Sequence, residues 1–215
     1  MKLAIQIAKH ALGQTGANPS VGCVIVKNNI IVGRGVTGRN GTPHAEQAAI
    51  KQAGKSAKEA TAFVTLEPCS HFGKTSPCAD KLIEAQIKRV VCPLTDPDPR
   101  VSGKGFEKLM SANILVDFIP TAKPWAEELA AGFISRLLKG RPYVTAKLGM
   151  SFDGKIASKY STSKWITNEL ARKNGQLLRV QNDAILVGTN TFALDKPNLN
   201  TRDAFYRFKT PLRVF

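Results

Sequence analysis

The chain has 215 residues and a formal net charge of +15. This length suffices for one large or two modest domains. No run of eighteen apolar residues occurs and the start of the chain does not resemble a secretory signal, so the sequence predicts no membrane span and we expect a cytoplasmic protein.

The positive charge would suit a nucleic-acid-binding protein. Basic residues are spread through the chain, however, and no basic run with interleaved aromatic side chains occurs. This distribution favours a solvated basic surface, with some cations available for small phosphate-bearing ligands, over a track for RNA or DNA.

The first 120 residues alternate between helical and strand patterns. Apolar spacing predicts a first helix over residues 3–13, and Asn28-Asn29 suits a two-residue hairpin between two β-rich runs. The predicted strands cover residues 21–27, 30–36, 62–66, 89–93 and 114–118, and the further helices cover 44–53, 78–85 and 103–112. This alternation predicts one α/β domain over residues 1–122.

A second domain is predicted over residues 141–215. A linker helix over 123–140 precedes it and ends at Gly140-Arg141-Pro142. The predicted strands cover residues 143–148, 184–187 and 212–215, and an amphipathic helix covers 168–180 with Asn168 as its N-cap. Because a usual domain has about 100–150 residues, we expect this one to be incomplete.

Four side chains suggest a chemistry. His44 and Glu46 lie in Pro-His-Ala-Glu, Cys69 follows Glu-Pro, and Cys78 follows a proline. One imidazole and two thiolates fill three corners of a zinc tetrahedron and leave the fourth open for water, as in a catalytic rather than a structural site. Glu46 can then move protons between that water and a leaving amine. This order of residues is typical of zinc-dependent nucleobase deaminases.

The local context of the cysteines supports this assignment. Pro77 suits the first turn of a helix beginning at Cys78, where the positive end of the helix favours a thiolate. Cys23 and Cys92 lie in apolar strand-like runs, so they are interpreted as buried small hydrophobic residues rather than ligands.

The spacing of the two cysteines points to a particular family. Eight residues separate them, where the general motif has two. Residues 65–78, Thr-Leu-Glu-Pro-Cys-Ser-His-Phe-Gly-Lys-Thr-Ser-Pro-Cys, resemble the deaminase domain of the bifunctional riboflavin-biosynthesis deaminase/reductase family. The resemblance implies a three-layer cytidine-deaminase-like fold that deaminates a diaminopyrimidinone carrying a ribose phosphate.

Three further residues are candidates for binding that substrate. Asn18 matches an asparagine that contacts the substrate in the family, although it also suits a turn before Pro19. His71 and Lys74 lie between the two cysteines, where a cation could meet the substrate phosphate. An exposed loop lysine is the ordinary alternative for Lys74.

The second half is similar to the reductase domain of the same family in five segments, at residues 141–147, 151–155, 163–167, 188–191 and 195–202. The resemblance implies an incomplete dihydrofolate-reductase-like α/β domain that uses NADPH to reduce the ribosyl group to ribityl. No glycine-rich dinucleotide fingerprint of the Rossmann kind occurs. Gly175, inside a predicted helix, departs from the family pattern.

The same resemblance implies ten contacts in this half. The implied substrate contacts are Lys147, Ser163, Thr167, Arg179, Leu199 and Arg202, and the implied NADPH contacts are Gly149, Trp165, Thr191 and Asp195. Each has an ordinary alternative as a core, turn or solvated residue. Deamination is the better-supported activity, since the later part of the family's reductase domain is not in these 215 residues.

Two other functions remain open from the sequence. A deaminase of tRNA adenosine or of another nucleic-acid base would use the positive charge to bind phosphates, and a zinc-stabilised binding module would need no catalysis. The cysteine spacing and the second-domain segments favour the riboflavin-pathway enzyme, and Glu46 beside three ligands favours either enzyme over the module. We expect a phosphoribosylated pyrimidine as the substrate, no membrane or nucleic-acid partner, and a homo-oligomer.

Overall fold

A computed structural model describes residues 1–73, 76–99, 101–160, 162–202 and 210–215. These residues form two compact units, Met1–Tyr143 and Val144–Phe215. Among them, no helix has the length and apolar character needed to cross a membrane. Lys74, one of the predicted substrate contacts, lies outside the described residues.

The first unit is built on a five-stranded sheet with the order β2-β1-β3-β4-β5. Its strands are β1 Gly22–Lys27, β2 Ile30–Val36, β3 Thr61–Val64, β4 Arg89–Cys92 and β5 Leu115–Phe118. Strand β1 is antiparallel to β2 and β3, whereas β3, β4 and β5 are parallel. Parallel neighbours need a crossover connection, and helices provide it here.

The described residues of this unit form the α-helices α1 Lys2–Lys9, α2 Ala45–Ala53, α3 Cys78–Glu84, α4 Lys104–Ser111, α5 Lys123–Leu129 and α6 Ala131–Lys139. Buried residues of α2, α3 and α4 form one cluster with the strands, and α1 packs with α5 in a second cluster. Cys23 and Cys92 are fully buried, which confirms their interpretation as core residues. The mixed α/β fold class is confirmed as well.

The linker helix predicted over residues 123–140 is two helices. The first begins at Lys123 as predicted, and the break lies at Ala130, where φ is −96° and ψ is 6°. Ala130 is buried with Leu66 and Leu94 in a third cluster. Packing against the body of the unit thus overrides the high helix propensity of alanine at this position.

The start of α2 lies directly against the sheet. A Cβ atom on Gly35 of β2 would lie 1.9 Å from the carbonyl oxygen of Ala45, the first residue of α2. Only glycine permits this close approach of helix and strand. The approach fixes the position of the α2 N-terminus, which carries His44 and Glu46.

The second unit contains α7 Glu169–Gln181, β6 Ala184–Leu186, α8 Thr189–Asp195 and β7 Leu212–Val214, with β6 parallel to β7. The predicted cap of α7 is confirmed, since Asn168 Oδ1 accepts a hydrogen bond of 2.9 Å from the backbone N–H of Ala171. The strand predicted over residues 143–148 is wrong. Val144 and Leu148 are 83% and 71% exposed and the run has no neighbouring strand among the described residues, so its β propensity is not realised.

Replacement of Gly175 should stabilise the second unit. Gly175 lies inside α7 with no positive φ, and the nearest atom to an added Cβ is Lys147 Cε at 3.8 Å, an ordinary contact. Gly175→Ala should therefore raise the free energy of unfolding by about 1 kcal/mol, because glycine loses more backbone entropy in a helix than alanine. Urea titration measures this change. Gly154→Ala, at a φ of +77° in a turn, is the control and should destabilise; a loss of stability in Gly175→Ala would contradict the interpretation.

Candidate functional site

Three predicted ligands come together in the first unit. His44 is the N-cap of α2, Cys69 lies in the segment after β3, and Cys78 is the first residue of α3. His44 Nδ1 lies 3.6 Å from Cys69 Sγ and 3.2 Å from Cys78 Sγ, and all three atoms lie within 4.8 Å of one another. A tetrahedral zinc ion with bonds of about 2.0 Å to nitrogen and 2.3 Å to sulfur separates such ligand atoms by about 3.6 Å.

The composition of this group also fits zinc. Imidazole nitrogen and thiolate sulfur are ligands that zinc prefers. Among the described residues, no fourth histidine, cysteine or carboxylate joins the group. The three side chains could therefore hold a metal ion and leave one coordination position free of protein, as catalytic rather than structural zinc sites do.

The two thiols differ in their electrostatics. Cys69 Sγ accepts the backbone N–H of Cys78, at the start of α3, with a distance of 3.3 Å. A hydrogen bond from the Cys78 side chain and the further hydrogen bonds from His44 and this N–H lower the pKa of Cys69 to about 4. The same interaction with Cys69, together with burial, raises the pKa of Cys78. In the metal-free protein Cys69 is thus the thiolate, and metal binding must release the proton that Cys78 keeps.

Glu46 is buried beside the metal group. It lies in the first turn of α2 and is only 4% exposed. Burial, followed by the nearby charge of Cys69, raises the pKa of Glu46 to about 7. A carboxyl group with a pKa near neutrality can both accept and donate a proton under ordinary conditions, as general acid–base catalysis requires.

The predicted substrate contacts of this unit have different surroundings. The Asn18 amide lies against Gly41, in the turn that leads to His44, and its Nδ2 donates a weak hydrogen bond of 3.4 Å to the carbonyl oxygen of Thr15. His71 is exposed. Asn18 is thus held near the segment that carries a metal ligand, whereas no described contact fixes His71.

Sequence reasoning missed a buried acid near the metal group. Asp96 is 8% exposed, and burial raises its pKa to about 6, with smaller contributions from the charges of Glu67, Asp98 and Cys69. Its Oδ1 accepts the backbone N–H of Asp98 at 2.8 Å. The run Asp-Pro-Asp-Pro, which starts at Asp96 in the loop after the buried strand β4, is the signal that could have indicated this acid.

In the second unit, one face of α7 touches several predicted reductase residues. Arg172 stacks 4.4 Å from the ring centre of Trp165 and donates a hydrogen bond of 2.6 Å to the carbonyl oxygen of Thr167. The position of Gly175 lies against the side chain of Lys147, whose Nζ is near Gly149. Arg172 and Gly175 are three residues apart and share a helix face.

The same face continues toward the C-terminal end of α7. Gln176 Oε1 accepts the backbone N–H of Arg202 at 3.0 Å, and Arg179 donates a hydrogen bond of 2.7 Å to the carbonyl oxygen of Asn200. Burial, and then the positive charge of Arg202, lower the pKa of Arg179. Arg172 and Gln176 were missed from the sequence, although their spacing of four residues with Arg179 three further on is a helical-face signal.

Not all the predicted reductase residues are brought together. The structure groups Lys147, Gly149, Thr167 and Trp165 near the N-terminal half of α7, and Arg179 and Arg202 near its C-terminal half. Leu199 is buried, and Ser163, Thr191 and Asp195 are exposed, the last two in α8. No described contact joins these three to the others.

Two family models match the chain. Residues 1–94 match the cytidine and deoxycytidylate deaminase zinc-binding region, and residues 142–214 match the RibD C-terminal domain. The fold and the His-Cys-Cys group therefore define the first unit as a cytidine-deaminase-like domain with a zinc-binding region.

Similar proteins agree with both matches. Riboflavin biosynthesis protein RibD of Aquifex aeolicus is 48% identical over 94% of this chain and 56% of its own length, and RibD of Escherichia coli is 47% identical over 94% and 55%. A crystal structure of a diaminohydroxyphosphoribosylaminopyrimidine deaminase/5-amino-6-(5-phosphoribosylamino)uracil reductase from Thermotoga maritima has a TM-score of 0.89 at 41% identity, over 99% of this chain and 60% of that one. Nearly the whole chain is therefore similar to RibD proteins. It spans a little over half the length of the curated relatives it matches.

The raised pKa of Glu46 gives a pH-dependent stability that can be measured without metal. Its folded pKa of about 7 lies above the ordinary value of 4.5, so the folded state favours the protonated carboxyl. This contribution is present in full below about pH 4.5 and is lost as the pH rises through about 7. Between these pH values the free energy of unfolding of chelator-treated protein should fall by up to about 3 kcal/mol more than that of Glu46→Gln. Urea titrations at each pH measure this free energy. The same dependence on pH in both proteins would contradict the burial of an ionisable Glu46.

Proposed function

We propose that the first unit is a zinc-dependent deaminase of riboflavin biosynthesis that acts on a diaminopyrimidinone carrying a ribose phosphate. The observation that carries this proposal is the convergence of His44, Cys69 and Cys78 on one point beside the buried carboxyl of Glu46. Support comes from the relatives named riboflavin biosynthesis protein RibD and from the similar deaminase/reductase of Thermotoga maritima. We assign the deaminase domain to residues 1–122, with residues 123–140 as the linker helix.

His44, Cys69 and Cys78 would hold the zinc ion. A zinc ion in an open site of this kind lowers the pKa of bound water to about 7 and so supplies a nucleophile at neutral pH. The thiolate of Cys69 is already favoured in the metal-free protein by its hydrogen bonds, whereas Cys78 and His44 must lose protons. Their protonation at low pH therefore opposes metal binding.

Glu46 moves the protons of the reaction. It accepts a proton from the attacking water and donates it to the ring nitrogen of the substrate, as the new carbon–oxygen bond forms at the amine-bearing carbon. It then transfers the second proton of the water to the exocyclic amine, and the carbon–nitrogen bond breaks to release ammonia and leave a ring carbonyl. A pKa of about 7 suits a group that must both take and give a proton.

The substrate would be oriented by residues around the metal group. We assign the Asn18 amide to the pyrimidine, since its contact with Gly41 ties it to the turn before His44. We assign His71 and Lys74, in the segment between the two cysteines, to the phosphate. A small phosphate-bearing substrate, rather than a nucleic acid, is supported by the similarity of both halves of the chain to RibD proteins.

For residues 141–215 we propose the NADPH-dependent reductase function of the family. Arg179 and Arg202 lie within electrostatic reach of each other, and the hydroxyl of Thr201 is buried with no hydrogen-bond partner among the described residues. Two cations and a free hydroxyl donor suit a phosphate group. We assign Lys147, Ser163, Thr167 and Leu199 to the sugar side of the substrate, and Gly149, Trp165, Thr191 and Asp195 to NADPH. We further propose a homo-oligomer in the cytoplasm, on the family resemblance alone.

The test of the deaminase proposal separates metal binding from turnover. Purified protein should hold about one zinc ion per chain and release ammonia from the phosphoribosylated diaminopyrimidinone. Glu46→Gln should keep the metal and lower kcat/KM by about 10²–10⁴-fold, because it removes the proton-transferring group and leaves the ligands intact. Metal analysis and an ammonia assay measure the two effects. Glu107→Gln, an exposed acid in the first turn of α4, is the matched control and should behave as wild type.

The same assay distinguishes the alternative substrate. An RNA containing a tRNA anticodon stem is offered beside the small molecule. Deamination of the RNA alone would overturn the riboflavin-pathway assignment, and full activity of Glu46→Gln would reject the role of that carboxyl.

A further inference from the structure

The carboxylate of Glu67 forms a buried connection between two parts of the first unit. Glu67 is 3% exposed and lies after β3, two residues before the metal ligand Cys69. Its Oε2 accepts the backbone N–H groups of Asp96 and Gly103, both at 3.0 Å, and its Oε1 accepts the N–H of Gly105 at 2.9 Å. One side chain thus satisfies three backbone donors from a segment about thirty residues further along the chain.

Two of these donors belong to the start of a helix. Gly103 is the N-cap of α4 and Gly105 lies in its first turn, where N–H groups have no partner inside the helix. Gly103 has no side chain that could cap α4, so the carboxylate of Glu67 takes this role from another element. A negative charge is also favoured there by the helix dipole.

The first turn of α4 and the segment before Cys69 are in close van der Waals contact as well as hydrogen-bonded. A Cβ atom on Gly105 would lie 2.0 Å from the carbonyl oxygen of Pro68 and 3.1 Å from Glu67 Oε1. The first turn of α4 therefore rests directly on the peptide bond that joins Pro68 to Cys69. Any displacement of this turn displaces the backbone of a metal ligand.

Cys69 is held from the opposite side by α3. Its Sγ accepts the N–H of Cys78 at 3.3 Å, and its carbonyl oxygen accepts the N–H of Ala79 at 3.1 Å. The segment before Cys69 is also held by its backbone, since the N–H of Glu67 donates a hydrogen bond of 3.0 Å to the carbonyl oxygen of Leu94. The side chain of Glu67 joins the same segment to the start of α4. Cys69 is thus fixed between α3 and α4.

We propose that Glu67 is a positioning residue for the metal centre, which fixes Cys69 by locking the start of α4 onto the Glu67-Pro68-Cys69 segment. The proposal rests on the proposed metal site, although Glu67 itself is not a ligand. Groups that orient metal ligands commonly change metal affinity by 10–100-fold when they are replaced.

Glu67→Gln tests this role. Glutamine keeps the shape of the side chain but places an NH2 group against at least one backbone N–H, and it removes the charge at the start of α4. Titration with Co²⁺, monitored by the absorption of cobalt–thiolate bonds, should show a loss of affinity of about 10–100-fold and an altered spectrum. Amide hydrogen exchange of Asp96, Gly103 and Gly105 should become faster in the same variant.

A second variant acts on the same contact without touching the carboxylate. Gly105→Ala places a methyl group against the carbonyl oxygen of Pro68 and should produce the same change in the cobalt spectrum. Gly132→Ala, within α6, has no atom within 4 Å of its added Cβ and controls for an exchange of glycine for alanine away from this contact. Ser20→Ala, which loses a buried hydrogen bond of 2.7 Å to Ala8, controls for a general loss of stability. Both controls should keep the wild-type spectrum and affinity.

The outcomes separate this inference from the proposed function. Wild-type protein that binds no Co²⁺ would contradict the metal site, and the role of Glu67 with it. Wild-type binding together with unchanged affinity and spectrum in folded Glu67→Gln or Gly105→Ala would overturn the positioning role alone and leave Glu67 as a helix cap. An equal change in Ser20→Ala would likewise reject a specific effect.

Discussion

The proposed site in the first unit depends on the close approach of one imidazole and two thiols that belong to three separate elements. His44 caps α2, Cys69 follows β3 and Cys78 begins α3, yet their ligand atoms lie within 4.8 Å of one another. Two thiolates at this distance would repel each other, so only one of the two thiols is readily ionised in the metal-free protein. Contacts with neighbouring elements hold the three groups in place. Gly35 lets α2 lie on the sheet, and the N-terminal N–H of α3 stabilises the thiolate of Cys69.

The chemistry follows from what the same packing does to a carboxyl group. Because Glu46 is the second residue of the helix that His44 caps, the turn that presents the ligand also buries the acid. Burial raises its pKa to about 7, so a residue that would otherwise stay ionised becomes able to exchange protons at neutral pH. The position of His44 and the raised pKa of Glu46 therefore have the same structural cause, which is the packing of α2 against the sheet.

Sequence patterns predicted most of the first unit and little of the contacts that support its site. The alternation of helices and strands and the grouping of His44, Cys69 and Cys78 could be predicted, because short spacings and apolar periodicity are local properties. The break at Ala130 and the contacts of Glu67 could not, since both depend on partners far along the chain. In the second unit, residues 143–148 have the composition of a strand but no neighbouring strand among the described residues. Their β propensity alone therefore gave a wrong prediction. The spacing of Arg172 and Gln176 indicates a shared face of α7, but their partners, the carbonyl oxygen of Thr167 and the N–H of Arg202, depend on the fold.

X-ray absorption at the zinc edge, on protein purified with its metal, tests the central claim most directly. The account predicts two sulfur ligands at about 2.3 Å and two lighter ligands at about 2.0–2.1 Å, one being the nitrogen of His44 and the other an oxygen from solvent. Replacement of Cys69 by serine should remove one sulfur from that set. A site with three or four sulfur ligands, or a fourth ligand from the protein in place of solvent, would contradict an open catalytic centre.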